Sequence, residues 1–264
     1  MNDTSSTFHE SPNSPSAWWD DLQLAVVFLT RLPWKIEENK PPQALNHALR
    51  AFPLVGLLVG ALSATLLGLA HAFGLPDLAA AFLAVACSVL ITGALHEDGL
   101  ADVADGFGGG ADKVRKLDIM RDSRVGAYGV LALIFSIGLR VSALAGFDDV
   151  ISAYAALIAI ACLSRVAPII LLYQMDPART DGLAATMEKP VKDIIQQGTL
   201  LGAGLFLLCS PFVAGVLSLG LAAAALWAFK RMAQAQVGGH SGDICGASQQ
   251  IVEIVALLGL AAFV

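Results

Sequence analysis

Apolar stretches recur through the chain at 53–73, 78–95, 127–147, 150–173, 199–208 and 212–229, with a last one at 251–264. This recurrence limits the fold more than any other feature. Hydrocarbon offers no water to backbone N–H and C=O groups, so a spanning segment must satisfy them internally, as an α-helix. The longer stretches approach the ~20 residues that cross ~30 Å of hydrocarbon. Two fall short: 199–208 is marginal, and 251–264 is expected to tilt little or stay partly embedded. Composition agrees, with 56% hydrophobic and 14% charged residues and a mean hydropathy of +0.68; soluble domains carry about 25% charged residues. The expected fold is all-α: a polytopic integral membrane helical bundle of six to seven transmembrane helices.

Residues 1–16 are polar and rich in Ser and Pro, with no basic segment leading into an apolar core. They read as a disordered cytosolic tail and not as a cleaved signal peptide. Residues 17–32 are apolar but too short for a comfortable span, and Trp18, Trp19 and Trp34 flank them. An interfacial or re-entrant helix fits. Asp20 and Asp21 then fall in its first turn, where acids suit the helix dipole. Residues 17–264 read as a single membrane-embedded catalytic domain. The four cysteines have no paired spacing and read as small buried apolar residues. A net charge of −6 with no basic run gives no sign of a nucleic-acid partner. Membrane lipid is the expected surrounding, and self-association is not legible in the pattern.

Charge fixes an orientation. The connections after Phe73, Phe147 and Leu208 hold no Lys or Arg, whereas Arg31, Lys35, Lys40, Arg50, Lys113, Arg115, Lys116, Arg121, Arg124, Arg179, Lys189, Lys192, Lys230 and Arg231 fall on the other side. By the positive-inside rule that side is cytoplasmic, and the long polar loops share it. Arg140 and Arg165 lie inside expected spans. A charge there costs at least about 2.5–3.5 kcal/mol, so each needs a partner or a wet cavity; Arg165, two turns from the cytosolic end, could also snorkel.

The polar stretch from His96 to Gly110 concentrates the chemistry. Four carboxylates, Glu97, Asp98, Asp102 and Asp105, fall within nine residues. On a helix the three aspartates share an arc of about 60°, where like charges repel unless a cation lies between them. Hard oxygen ligands with no cysteine favour Mg²⁺ or Mn²⁺ over zinc. Glu97 lies off the aspartate face and is a fourth candidate, as ligand or as support. Mg²⁺ is usually held by one or two carboxylates together with substrate phosphates, so a phosphate ester or anhydride is the expected substrate. His96 reads as a base or as a hydrogen-bonding residue of a helix end. The Gly106–Gly110 run reads either as an approach for phosphate or as a plain turn. Arg121 and Arg124, one helical turn apart, suit bidentate phosphate binding, with Asp118 and Asp122 as their partners or as further ligands. Arg179 and Asp181 form a turn that could hold an anion. Around Gly242 the backbone is open enough for close approach to a ligand, and His240 or Asp243 could serve as base for a hydroxyl nucleophile.

Several segments together resemble a known family. They are Phe28-Leu29-Thr30-Arg31-Leu32-Pro33, Phe52-Pro53-Leu54-Val55-Gly56, the acidic stretch, Met120-Arg121-Asp122-Ser123-Arg124-Val125-Gly126-Ala127-Tyr128-Gly129, Arg179-Thr180-Asp181-Gly182-Leu183, and Gly242-Asp243 with Gly246-Ala247. Their order is similar to that of the adenosylcobinamide-GDP ribazoletransferases, or cobalamin synthases. The resemblance implies a Mg²⁺-dependent integral membrane enzyme of the bacterial inner membrane. It implies transfer of the adenosylcobinamide-phosphoryl group from adenosylcobinamide-GDP to α-ribazole or its 5′-phosphate, with release of GMP. It further implies Mg²⁺ at Asp98, Asp102 and Asp105 with Glu97 beside them, phosphate at Arg121, Arg124 and Arg179 near Asp181 and Gly242, and ribazole handling by His240 or Asp243. Two other readings fit less well. A CDP-alcohol phosphatidyltransferase would continue Asp98-Gly99-Leu100-Ala101 with Arg, where this chain has Asp102. An ion-coupled transporter would place its carboxylates inside a span, whereas these sit at the end of one.

Overall fold

The computed structural model describes residues 15–34, 44–182, 184, 187 and 189–263. The tail expected over 1–16 lies outside them except for its last two residues, which open the first helix. Among the described residues there are helices and no strands. In chain order they are α1 (Pro15–Leu29), α2 (Ala44–Ala48), a 3-10 turn at Leu49–Ala51, α3 (Phe52–Ala72), α4 (Asp77–Thr92), α5 (Leu95–Gly109), α6 (Lys113–Ile119), α7 (Ala127–Ala145), α8 (Val150–Ser164), α9 (Val166–Gln174), α10 (Lys192–Leu208), α11 (Phe212–Val237) and α12 (Gly242–Phe263).

Five segments are long and apolar enough to cross a membrane, or six if α4 and α5 count as one broken span. The upper expectation of seven is not reached, for local reasons. The stretch at 199–208 belongs to α10, which begins back at the polar Lys192 and falls outside the span set. The final stretch errs the other way. Residues from Gly242 onward, the end of the glycine-rich stretch around His240 and Asp243, are the first turns of α12, which is 22 residues long and qualifies as a full span. Residues 150–174 form one span interrupted at Arg165, because Pro168 has no N–H to donate to the carbonyl of Ser164. Large apolar side chains such as Leu69, Phe135, Phe212 and Trp227 stand exposed on the outside, as lipid-facing surfaces require. Phe147, Ile151, Cys209, Pro211 and Leu260 line one small cavity. Two of the turns that carry no Lys or Arg therefore meet at the same end.

Between α4 and α5 the chain turns by 90°. Gly93 and Ala94 take the left-handed conformation in succession, with φ of 64° and 59°. For Ala94 this costs about 1–2 kcal/mol. The end of α1 covers the bend: Arg31 N–H donates to the Ile91 carbonyl at 2.7 Å, and the Arg31 side chain lies where a Cβ on Gly93 would be.

The bundle interior is polar at one place. Arg140 of α7 binds Glu97 of α5 at 3.0 Å and Glu253 of α12 at 3.1 Å, and Arg165 reaches Glu253 at 3.2 Å. All four side chains are buried. Gln250 donates to Glu97 at 3.1 Å, Ser136 donates to Gln250 at 2.7 Å, and Gln249 donates to Ser164 at 2.9 Å and to Glu253. Two guanidinium and two carboxylate groups cancel, which is what a low-dielectric interior demands. Two expectations change here. Arg165 does not snorkel, because Glu253 meets it inside the bundle. Glu97 turns inward to Arg140 instead of standing with the aspartates as a metal ligand. Asp21 is likewise reassigned. Helix α1 starts at Pro15, so Asp21 is past the first turn, and it pairs with the buried Arg50 at 2.7 Å. Arg50 also lies 4.3 Å from the Trp18 ring centroid and donates to Gln197 of α10, so it docks α1 onto the bundle.

Removing one member of such a set leaves a buried charge without its partner, at a cost of about 3–5 kcal/mol. Arg140→Met is expected to lower stability by that order, read as an earlier thermal transition of the purified protein in detergent. Adding Glu97→Gln restores neutrality and is expected to recover part of the loss. An unchanged transition in the single variant would show that the network is not holding the bundle.

Candidate functional site

Helices α5 and α12 cross almost backbone to backbone. A Cβ on Gly99 would come within 2.7 Å of the Asp243 carbonyl oxygen, and one on Gly246 within 3.3 Å of that of Leu95. Only residues without a side chain permit this approach. It carries Asp243, at the start of α12, to the face of α5 that bears Asp98 and Asp102. Asp98, Asp243 and Asp105 are all near enough to repel the charge on Asp102. Asp102 and Asp243 are half-buried and Asp98 is exposed.

The counter-charge is Arg179. One of its amino groups, Nη2, donates to Asp243 Oδ2 at 3.4 Å, and Ser241 Oγ donates to the same oxygen at 3.2 Å. The other, Nη1, is buried with no partner among the described residues. An unpaired buried donor beside carboxylates is suited to an incoming anion. The loop that bears Arg179 is tied to the start of α12 by backbone. Ala178 N–H donates to the His240 carbonyl at 2.8 Å, and His240 N–H donates to that of Asp176 at 2.9 Å. His240 thus acts through its main chain. Its ring is buried, with Nδ1 unpartnered, and burial holds its pKa below the ordinary 6.5.

Asp105 does something else. Its carboxylate accepts from Gly126 N–H at 2.6 Å and from Gly129 N–H at 2.9 Å, so α5 caps the start of α7. A Cβ on Gly126 would fall 2.5 Å from that carboxylate. The Gly126-Ala127-Tyr128-Gly129 motif is therefore read as the seat for Asp105. The Gly106–Gly110 run does not form a plain turn. It is helical through Gly109, and Gly106, Gly108 and Gly110 pack closely on Met120, Tyr128 and Lys116.

Arg121 and Arg124 stand in the turn and bend that follow α6 and not on a shared helical face. Arg121 pairs with Asp181, which joins this link to the Arg179 loop. Arg124 is 87% exposed and binds Asp122 at 2.5 Å, holding that carboxyl down to about 2. Gly242 opens α12 on the wall of an open cavity of about 800 Å³ that Asp98 and Asp243 also line. Of the residues picked from sequence, the fold thus unites Asp98, Asp102, Asp243, Arg179 and Gly242, and sets Glu97 and Asp105 to other tasks. Ser241 was overlooked, as was Glu253. The latter had a signal: Gln249, Gln250 and Glu253 interrupt the run into the last apolar stretch at near-helical spacing.

Among the described residues, no three His, Cys, Asp or Glu side chains form a metal-holding group by themselves. The donors present still suit Mg²⁺ in its usual protein setting, one or two carboxylates completed by water and substrate phosphate. Asp98 and Asp102, one turn apart on a half-open face, are such a pair.

The profile of the family described as cobalamin-5-phosphate synthase matches residues 21–261. A protein of Azorhizobium caulinodans named adenosylcobinamide-GDP ribazoletransferase is 45% identical over 249 residues, 91% of this chain and 94% of its own. Proteins of the same name from Sinorhizobium medicae and Rhizobium meliloti are 45% and 44% identical, over 92% of this chain and 97% and 96% of theirs. No solved structure matches the chain.

The depressed His240 pKa makes a pH prediction. Below about pH 6.5 the unfolded chain binds a proton at this ring and the folded one does not, so stability falls as pH drops. His240→Gln is expected to flatten the fall in thermal transition temperature between about pH 7 and pH 5. Identical slopes for the two proteins would rule out this burial as a source of acid sensitivity.

Proposed function

The chain belongs to the cobalamin-5-phosphate synthase family, and from that premise we propose that it completes the nucleotide loop of cobalamin. In this reading it transfers the adenosylcobinamide-phosphoryl group from adenosylcobinamide-GDP to α-ribazole or its 5′-phosphate. A ribazole hydroxyl oxygen bonds to the cobinamide-side phosphorus, the bond from that phosphorus to the bridging oxygen breaks, and GMP leaves with the electron pair. The observation that carries the reading is the meeting of Asp98, Asp102 and Asp243 where α5 and α12 cross, with Asp98 and Asp243 on the wall of an open cavity and Arg179 bonded to Asp243. Carboxylates for a cation with a guanidinium beside them for an anion are what a pyrophosphate substrate requires.

Roles follow from position. Asp98 and Asp102 would hold Mg²⁺, which when bound draws charge off the pyrophosphate oxygens. Arg179 supplies positive charge beside the phosphates. Asp243 lines the cavity and accepts the proton of the attacking hydroxyl, while Ser241 and Arg179 fix its carboxylate. His240 is absent from the cavity wall and serves by clamping the Arg179 loop. Arg121 and Arg124, on the link beside that loop, are phosphate contacts at the outer edge. The reading sets the chain in the bacterial inner membrane with the site toward the cytosol, and the one-sided distribution of Lys and Arg supports it.

Purified protein in detergent is expected to release GMP when given Mg²⁺, adenosylcobinamide-GDP and α-ribazole or its phosphate together, and none when either substrate is omitted. No GMP from the full mixture would defeat the proposal. Asp102→Asn is expected to cut turnover at least a hundredfold while the protein purifies and melts normally. Full activity in that variant would remove Asp102 from the metal pair.

A further inference from the structure

The open cavity beside the carboxylates has a character that the phosphoryl chemistry does not explain. Its walls are almost wholly apolar, built by Phe28, Leu45, Leu49, Phe52 and Leu172 from α1, α2, the 3-10 turn, α3 and α9. The rings of Phe28 and Phe52 stack at 5.8 Å with their planes 21° apart. Asp98 and Asp243 bring charge to one wall, and His96 is a further polar neighbour. A second cavity shares Asp98 and Leu95 with it, but there the lining includes Thr30, Arg31 and Thr92. Asp98 therefore stands between an apolar chamber and a polar one.

We infer that the apolar chamber seats the aromatic base of the acceptor nucleoside; this rests on the function proposed above. Each part of the two substrates can be tested against the walls. Guanine presents several donors and acceptors, and each one left unpaired in an apolar pocket is penalised. The pyrophosphate is charged and belongs with Arg179. The corrinoid is rimmed with amides, which apolar walls would leave unpaired. A dimethylated benzimidazole is flat and apolar and has a single free ring nitrogen, which His96 could serve as donor. Burying its two methyl groups against apolar walls is favourable. With the base in this chamber, the ribose lies toward Asp98 and Asp243, where its hydroxyl must react.

Two variants test the assignment in the full-length protein. Leu172→Phe narrows the chamber, and Phe28→Ala opens it at a partly exposed edge that tolerates change. The measurements are KM and kcat with each substrate, and the Kd of α-ribazole by calorimetry in the absence of the donor. For Leu172→Phe, KM and Kd for α-ribazole are expected to rise at least tenfold, and by less for the riboside of unsubstituted benzimidazole. Phe28→Ala is expected to raise both at least threefold. In each variant KM for adenosylcobinamide-GDP and kcat should stay within about twofold. Unchanged α-ribazole Kd in both variants, or a rise confined to KM for adenosylcobinamide-GDP, overturns the inference. So does tight co-purified phospholipid that α-ribazole fails to displace, since the chamber would then hold an acyl chain. If Leu172→Phe does not fold, Phe28→Ala decides alone. Failure of the wild type to release GMP would strike the parent reading instead, and the Kd comparison still judges the chamber separately.

Discussion

Everything at the site depends on four buried charges that sum to zero. Helix α5 is the least apolar of the long helices, and nothing in hydrocarbon would hold it in place by burial alone. The pairing of Glu97 with Arg140, and of Arg140 and Arg165 with Glu253, gives it a fixed rotation against α7, α8 and α12. With about 100° between successive residues, pointing Glu97 inward turns Asp98 and Asp102 away from the core. Such a network adds little net stability over apolar packing. What it supplies is the angle at which the aspartates are presented.

The acidic stretch is thus one run of sequence with three different uses. Glu97 belongs to the interior. Asp105 spends both oxygens on the amides of Gly126 and Gly129, fixing where α7 begins. Asp98 and Asp102 remain free for ligand, and Asp243 is added from about 140 positions further along the chain. Glycines decide this division as much as the acids do. Gly99 and Gly246 let α12 approach, and Gly126 makes room for Asp105.

The all-α membrane bundle was legible because hydrocarbon leaves so few alternatives, and the acidic and Arg179 segments stood out for their charge. The rest depended on pairings that sequence does not display. Periodicity placed three aspartates on one face but could not reveal that one of them meets two backbone amides from another helix. Arg165 sat close enough to a helix end to invite a snorkelling reading, because its partner Glu253 lies 88 positions away. The glycines around His240 and Asp243 stood out only as an open stretch before the last apolar run; from Gly242 onward, close packing against α5 accompanies helix. Polarity of the cavity walls was beyond reach, as its residues come from six separate stretches of chain between Phe28 and Gly246.

The position of Glu253 near the end of the described chain also bears on how the protein is made. Helices α7, α8 and α9 are synthesised and enter the bilayer before α12 exists. In that interval Glu97 is the one carboxylate of the network present, set against both Arg140 and Arg165. The half-assembled bundle carries an unmatched positive charge, a state that favours waiting near the interface over settling into lipid. Arrival of α12 discharges that imbalance and, through the same helix, delivers Asp243 to Asp98 and Asp102. Neutrality of the bundle interior and the meeting of the three aspartates therefore both depend on α12.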